Sequence, residues 1–135
     1  MASNDERIVE DGAPVRAPGR SFASDKDLEE FVTTLEAYER GDISAAAFKT
    51  FRLHRGIYGQ RQEGVQMIRV KIPQGILDGG QLRALARVAR DFSRGFGHVT
   101  TRQNLQFHFV RMEQVPAALD ILAQAGLTTR EACGN

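Results

Sequence analysis

Residues 65–75 carry the sequence VQMIRVKIPQG, which alternates along its length and ends in a proline and a glycine. Successive side chains of a strand point to opposite faces, so one face of this strand carries aliphatic side chains and the other carries a methionine and two cations. The aliphatic face carries Ile68, Val70 and Ile72, and the opposite face carries Met67, Arg69 and Lys71. The stretch therefore predicts a strand over 65–72 that stops at Pro73.

A helix and a hairpin are predicted after this strand. Asp78, with Gln81 three residues later, forms a capping-box pattern, and an apolar stripe at helical spacing runs from there to Phe92. Two short strands follow over 98–102 and 105–110, joined by a tight connection at 103–104.

The chain continues into a last helix over 115–125, closed by Gly126. The order β-α-β-β-α predicts an α+β fold, the start of a ferredoxin-like split βαβ unit. Its final strand would have to come from 127–132, where the strand pattern is weak.

The first 62 residues predict a lead-in to this unit. Residues 1–23 contain several prolines and glycines with little apolar periodicity, and they indicate a flexible arm. In the helical lead-in and basic loop at 24–62, Ser24 caps one helix that ends at Gly41 and Asp42 caps a second. The glycine-punctuated stretch 54–61 is expected to be the loop.

The polar face of the predicted sheet is the candidate site. Alternation places Phe109 with the apolar set and Val110 with the polar set. The candidate residues are Arg69, Lys71, Thr100, Arg102, Gln106 and His108. They include no carboxylate and combine arginine forks with neutral donors, which suits a ligand bearing several carboxylates or oxyanions. A solvated sheet face is the alternative that the pattern leaves open.

Composition limits the function classes. The net charge of +1 gives no electrostatic case for nucleic acid or a membrane surface. No apolar run approaches the roughly 18 residues that cross a bilayer, and a cytoplasmic protein is expected. The single cysteine, Cys133, excludes an internal disulfide and a multi-cysteine metal site supplied by these residues alone. No metal ligand is assigned.

Two stretches together resemble one known family. MIRVKIPQG at 67–75 and TTRQNLQFH at 100–108 resemble the first ferredoxin-like half-domain of the siroheme-containing sulfite and nitrite reductases. FRLHRGIYGQR at 51–61 is similar to the segment that precedes it. TTREACGN at 128–135 is similar to the opening of the next, larger siroheme domain. The resemblance implies a half-domain over 63–127 and a chain truncated within the siroheme domain.

The resemblance also implies roles for the candidate residues. Arg69 matches an active-site arginine that meets the substrate anion over the haem. Four residues match positions that contact the siroheme and its carboxylates: Thr100, Arg102, Gln106 and His108. Lys71 matches a basic position of the same motif and is assigned to the cofactor as well.

The implied activity is the six-electron reduction of sulfite to sulfide or of nitrite to ammonia. It uses siroheme and a 4Fe-4S cluster whose cysteine ligands lie outside this chain, the remaining domains of the reductase, and ferredoxin or an NADPH flavoprotein as electron donor. These residues alone are expected to be inactive.

Two alternatives stay open. One is a fragment of a precorrin-3B synthase-like oxygenase, which handles a carboxylate-rich tetrapyrrole. The other is a non-catalytic ferredoxin-like module that binds a small anion or docks a protein through the basic ridge of Arg83, Arg87, Arg90 and Arg94.

Overall fold

A computed structural model describes residues 25–132. The predicted arm at 1–23, the Ser24 cap and the last three residues of the 128–135 segment lie outside the described residues. Four helices are present: α1 (Asp25–Glu39), α2 (Ala45–His54), α3 (Gly79–Phe92) and α4 (Val115–Gln124). Four strands are present: β1 (Ile57–Gly59), β2 (Val65–Val70), β3 (His98–Val99) and β4 (Leu105–Arg111). Short 3-10 turns occupy Pro73–Gly75 and Met112–Gln114.

The strands form one antiparallel sheet in the order β1-β2-β4-β3. With the helices, this confirms the predicted α+β, ferredoxin-like class. The predicted last strand at 127–132 is reduced to a single bridge between Lys71 and Thr128. The edge beside β2 is instead taken by β1.

The prediction of a loop over 54–61 is wrong for the three residues of β1. Ile57 is fully buried and lies opposite Ile68, so its burial favours pairing with β2. Gly56 precedes it with φ of 74°, a conformation that glycine adopts at little cost. The strand has only three residues, follows Gly56 and ends on Gly59, so the pattern did not reveal it.

The middle strand is shorter than predicted. Pairing stops at Val99, and residues 100–104 form a turn instead of extending the strand to 102. Gln103 lies in the left-handed region, with φ of 61°, and so leaves the extended conformation.

A β-bulge interrupts β4. Ile68 lies opposite Phe107 and Gln66 opposite Val110, so two residues of β4, His108 and Phe109, face the single residue Met67. The predicted alternation is therefore wrong beyond His108. Val110 is fully buried in the core, whereas Phe109, with φ of 64°, leaves the apolar set.

Side chains that lie close in sequence cap the N-termini of α2 and α3. The capping box is confirmed, because Asp78 accepts from the Gln81 amide at 2.7 Å and Gln81 accepts from the Asp78 amide at 3.0 Å. The cap of α2 is Ser44, not Asp42, since the Ser44 hydroxyl accepts from the Ala47 amide. Asp42 instead pairs with Arg40 at 3.0 Å.

The core lies between the sheet and the helices. Aliphatic residues of β2 and β4 pack with residues of all four helices: Phe31, Leu35, Phe48, Leu85, Val88, Val115, Ala118 and Leu122. This leaves the opposite face of the sheet, with Arg69 and Gln106, for other contacts. Among residues 25–132, no helix is both long and apolar enough to cross a membrane.

A partly buried ion network joins the lead-in to the end of the described chain. Arg55 contacts Asp27 at 3.0 Å and Glu30 at 2.7 Å, and Asp27 also contacts Arg130 at 2.9 Å. These pairs hold α1 beside the segment after α4.

Candidate functional site

The centre of the polar face is a row of three side chains on neighbouring strands. Arg69 lies directly opposite Gln106, and Tyr58 lies opposite Met67, on the same face as Arg69. The Arg69 Cζ atom is 5.2 Å from the centroid of the Tyr58 ring. With the Gln106 amide oxygen turned toward Arg69, it accepts from Nη2 at 2.8 Å and from Nε at 3.2 Å. The guanidinium is thus braced on two sides.

Two histidines lie toward the β3 edge of this face. His98 is opposite Gln106, and its ring centroid is 6.0 Å from that of His108. Burial lowers the pKa of His108 below its ordinary value, and neighbouring His98 lowers it further. His108 is therefore mostly neutral at pH 7 and can donate or accept a hydrogen bond.

Two side chains hold the bulge that carries His108. The buried Ser93 hydroxyl accepts from the His108 amide at 3.0 Å and donates to its carbonyl at 2.8 Å. The Gln60 side-chain oxygen accepts from the Phe109 amide. Backbone groups of His108 and Phe109 that the bulge removes from the ladder are thus satisfied, which stabilises the backbone that carries the His108 ring.

The remaining cations line an open groove next to the row. Lys71 and Arg102 border a groove of about 500 Å³, together with Gln74, Gln103 and Glu131. Glu131 brings one carboxylate to this groove. The six residues predicted from sequence include no acid, and only the fold shows that the Glu131 carboxylate lies in the same groove as Lys71 and Arg102.

Thr100 has a local role in presenting Arg102. Its hydroxyl bonds the Asn104 side-chain oxygen and accepts from the Arg102 amide at 3.2 Å. Asn104 is buried, and its amide nitrogen reaches the Ala132 carbonyl at 3.5 Å. The turn that carries Arg102 is thereby tied to the segment after α4.

The structure places the six predicted residues in two adjoining groups. Arg69, Gln106 and His108 lie on the two central strands, β2 and β4. Lys71 and Arg102 border the groove, and Thr100 lies in the turn that carries Arg102. Sequence reasoning missed residues that support these groups: Tyr58, Gln60, Ser93 and Asn104. Three of them carried an indication, since Tyr58 and Gln60 lie in the stretch 51–61 and Asn104 lies in the stretch 100–108, both of which resemble the family.

This arrangement presents fixed cations beside neutral donors on one surface. Arginine forks and lysine hold carboxylates or oxyanions, and Gln106 with His108 adds directed hydrogen bonds. The site therefore suits a large ligand with several anionic groups, or a small oxyanion at its centre.

Comparison with known proteins identifies the family. Residues 58–125 match the model of the nitrite/sulfite reductase ferredoxin-like half domain, which is half of the chain. The chain belongs to the nitrite/sulfite reductase half-domain family. The match includes every residue of the candidate site except Glu131.

Relatives carry both substrate names. The assimilatory ferredoxin-dependent nitrite reductase of Haloferax mediterranei is 38% identical over 92 residues, covering 59% of this chain. The sulfite reductase [ferredoxin] of Mycobacterium tuberculosis is 32% identical over 97 residues, also covering 59% of this chain. The structure of the Mycobacterium tuberculosis NirA protein superposes on 83% of this chain with a TM-score of 0.60 and 25% identity.

The half-domain is a small part of these relatives. The chain spans 16% of the nitrite reductase, 18% of the sulfite reductase and 26% of the NirA chain. The matches establish the fold class and the family of this chain and extend over only this part of the relatives.

Proposed function

We propose that this chain is the N-terminal part of a siroheme and iron–sulfur oxidoreductase that reduces sulfite to sulfide or nitrite to ammonia. Its polar face forms one wall of the siroheme site. The observation that carries the proposal is the row of Tyr58, Arg69 and Gln106 at the centre of a half-domain of this family. The relatives' names, nitrite and sulfite reductase, support the reaction class.

The donor chemistry of the face fits siroheme. A macrocycle with several carboxylates needs cations and oriented donors around it once it is removed from water. Lys71 and Arg102, at the groove, would hold peripheral carboxylates, while Thr100 fixes the turn that carries Arg102. Gln106 and His108 would contact the ring. When bound, siroheme supplies the redox-active iron at which the substrate anion is reduced.

Arg69 is the residue that we assign to the substrate. An arginine stays protonated across the physiological range, so it favours binding of an oxyanion. Its bracing by Tyr58 and Gln106 holds the guanidinium in one orientation before the anion arrives. His108, whose lowered pKa keeps the imidazole mostly neutral at pH 7, would donate or accept a hydrogen bond beside the bound anion.

The 4Fe-4S cluster does not fit the residues of this chain. Cysteine thiolates hold such clusters, and the 135 residues contain one cysteine. We assign its ligands to the remaining domains of the reductase. The electron donor is ferredoxin or an NADPH flavoprotein, and the relatives' names favour ferredoxin.

Because the remaining domains would complete the siroheme site, we predict that the 135-residue chain alone does not retain siroheme. After mixing with an excess of siroheme and gel filtration, we expect little haem absorbance with the protein peak and no turnover of either anion. The complete reductase, treated in the same way, should retain siroheme and reduce one anion faster. Stoichiometric siroheme on the isolated chain would contradict the shared site, and a complete protein that reduces neither anion would contradict the function.

A further inference from the structure

We propose that Arg94, with His98 and His108, forms an additional oxyanion-binding subsite at the β3 edge of the polar face. Its ligand is a single carboxylate or inorganic oxyanion group. That the carboxylate belongs to siroheme is a separate step that rests on the proposed function.

Arg94 occupies a backbone position that normally favours glycine. It follows the last residue of α3 by two positions and has φ of 56°, in the left-handed region. Helices commonly end on glycine at this position, because a side chain there is strained. A glycine is the next residue, Gly95, and its amide closes the helix end on the Ala89 carbonyl at 2.7 Å. The chain thus keeps an arginine where the fold favours a glycine, and strain retained in this way clusters at functional sites.

The left-handed backbone sends the Arg94 side chain to the bulge. Its Cζ atom lies 3.9 Å from the centroid of the Phe109 ring, and Phe109 is itself left-handed because of the bulge. Arg94 and Phe109, both in the left-handed backbone region, are therefore in contact through their side chains. The contact places the Arg94 cation against the bulge of β4, two residues beyond the end of α3.

The rings around Phe109 connect Arg94 to the two histidines. The His108 ring centroid is 6.2 Å from that of Phe109, and exposed Phe96 lies 6.5 Å from both rings. His98 follows at 6.0 Å from His108. An anionic group over this exposed edge would meet the Arg94 fork and imidazole N–H donors beside the rings of Phe96 and Phe109, and hydrogen bonds to a charged group are the stronger ones.

The charge environment of Arg94 differs from that of Arg87 and Arg90, two arginines of α3 that share one carboxylate. Arg90 pairs with Asp91 at 2.9 Å, and Arg87 approaches the same carboxylate at 3.8 Å. Among residues 25–132, no carboxylate lies within ion-pair distance of Arg94. Its charge is thus directed to the ring cluster and to any anion that binds there.

The decisive variant is Arg94→Gly, because it separates a binding role from a structural one. Glycine adopts the left-handed conformation freely, so we expect the melting temperature to stay within about 3 °C of the wild type or to rise. Titration of the 135-residue chain with inorganic phosphate, followed through the ring signals of His98 and His108 in NMR spectra, should show binding weakened about tenfold, the loss of one charge-assisted contact. Arg83→Ala, which removes an equal charge from the exposed ridge, should leave the affinity within about twofold.

A second arm identifies the source of the oxyanion. In the complete reductase, Arg94→Gly should lower siroheme content if the group is a carboxylate of the macrocycle, and should leave it normal if the group is a free inorganic anion. The proposal is overturned if phosphate affinity and siroheme content are both normal in Arg94→Gly, or if Arg83→Ala weakens phosphate binding equally. A different outcome contradicts the siroheme wall and not the subsite: Arg94→Gly weakens phosphate binding, but Arg102→Ala leaves the siroheme content of the complete reductase normal.

Discussion

Replacing Gly56 with alanine is expected to lower the free energy of unfolding by about 4 kcal/mol or more, placing it among the most destabilising single substitutions. Gly56 has φ of 74°, and a Cβ atom there would lie 2.5 Å from the Thr129 carbonyl oxygen and 2.8 Å from that of Arg69. Both are backbone atoms, so β1 or the segment after α4 would have to move. Urea unfolding followed by far-UV circular dichroism measures the loss.

Gly41→Ala is the matched control. Gly41 is also left-handed, with φ of 84°, but a Cβ atom there would meet nothing within 4 Å. It should therefore show only the backbone penalty of about 1–2 kcal/mol. Equal losses at the two positions would contradict the close packing at Gly56.

This packing matters for the site. The Gly56 carbonyl accepts from the Arg69 amide at 2.8 Å, and the same glycine faces Thr129. Gly56 thus lets three segments meet directly behind the backbone of Arg69. The position of the central guanidinium depends on this close approach.

In the complete reductase that we propose, replacing Arg69 with methionine is expected to lower kcat/KM for the substrate anion about 100-fold or more. Methionine keeps much of the side-chain length and removes the charge that we assign to the substrate. Steady-state turnover with sulfite and with nitrite measures the effect, and circular dichroism checks that the fold is intact.

Arg69→Lys supplies the comparison for this prediction. It keeps the positive charge but not the planar fork that Gln106 braces through Nη2 and Nε. Its activity should fall between those of the wild type and the methionine variant. A methionine variant within a few fold of the wild type would contradict the assignment of Arg69 to the substrate.

The parts of the fold that sequence predicted depend on local patterns. Asp78 and Gln81 are three residues apart and satisfy each other's backbone amides, so the start of α3 was readable. Alternation along β2 gave the correct faces because that strand pairs regularly from Ile68 to Val70. The family resemblance then supplied roles that alternation alone left open.

The parts that sequence missed depend on contacts between distant residues. The bulge in β4 is held by Ser93 and Gln60, which are 15 and 49 positions from the residues they bind. A left-handed phenylalanine has no local signature, so nothing in the stretch 105–111 indicated that Phe109 and Val110 exchange faces. Tyr58 could not be placed beside Arg69, because its three-residue strand is defined only by pairing with β2.

The siroheme content of the complete reductase after Arg102→Ala tests the cofactor wall most directly. Arg102 is exposed and borders the groove, so its loss should change the ligand site more than the fold. Arg111→Ala is the control, since Arg111 is exposed and pairs only with Glu113 among the described carboxylates. We predict siroheme well below one per chain in Arg102→Ala, and the wild-type ratio in Arg111→Ala, by absorbance and iron analysis. A full complement of siroheme with normal turnover in Arg102→Ala would show that this face is not a cofactor wall.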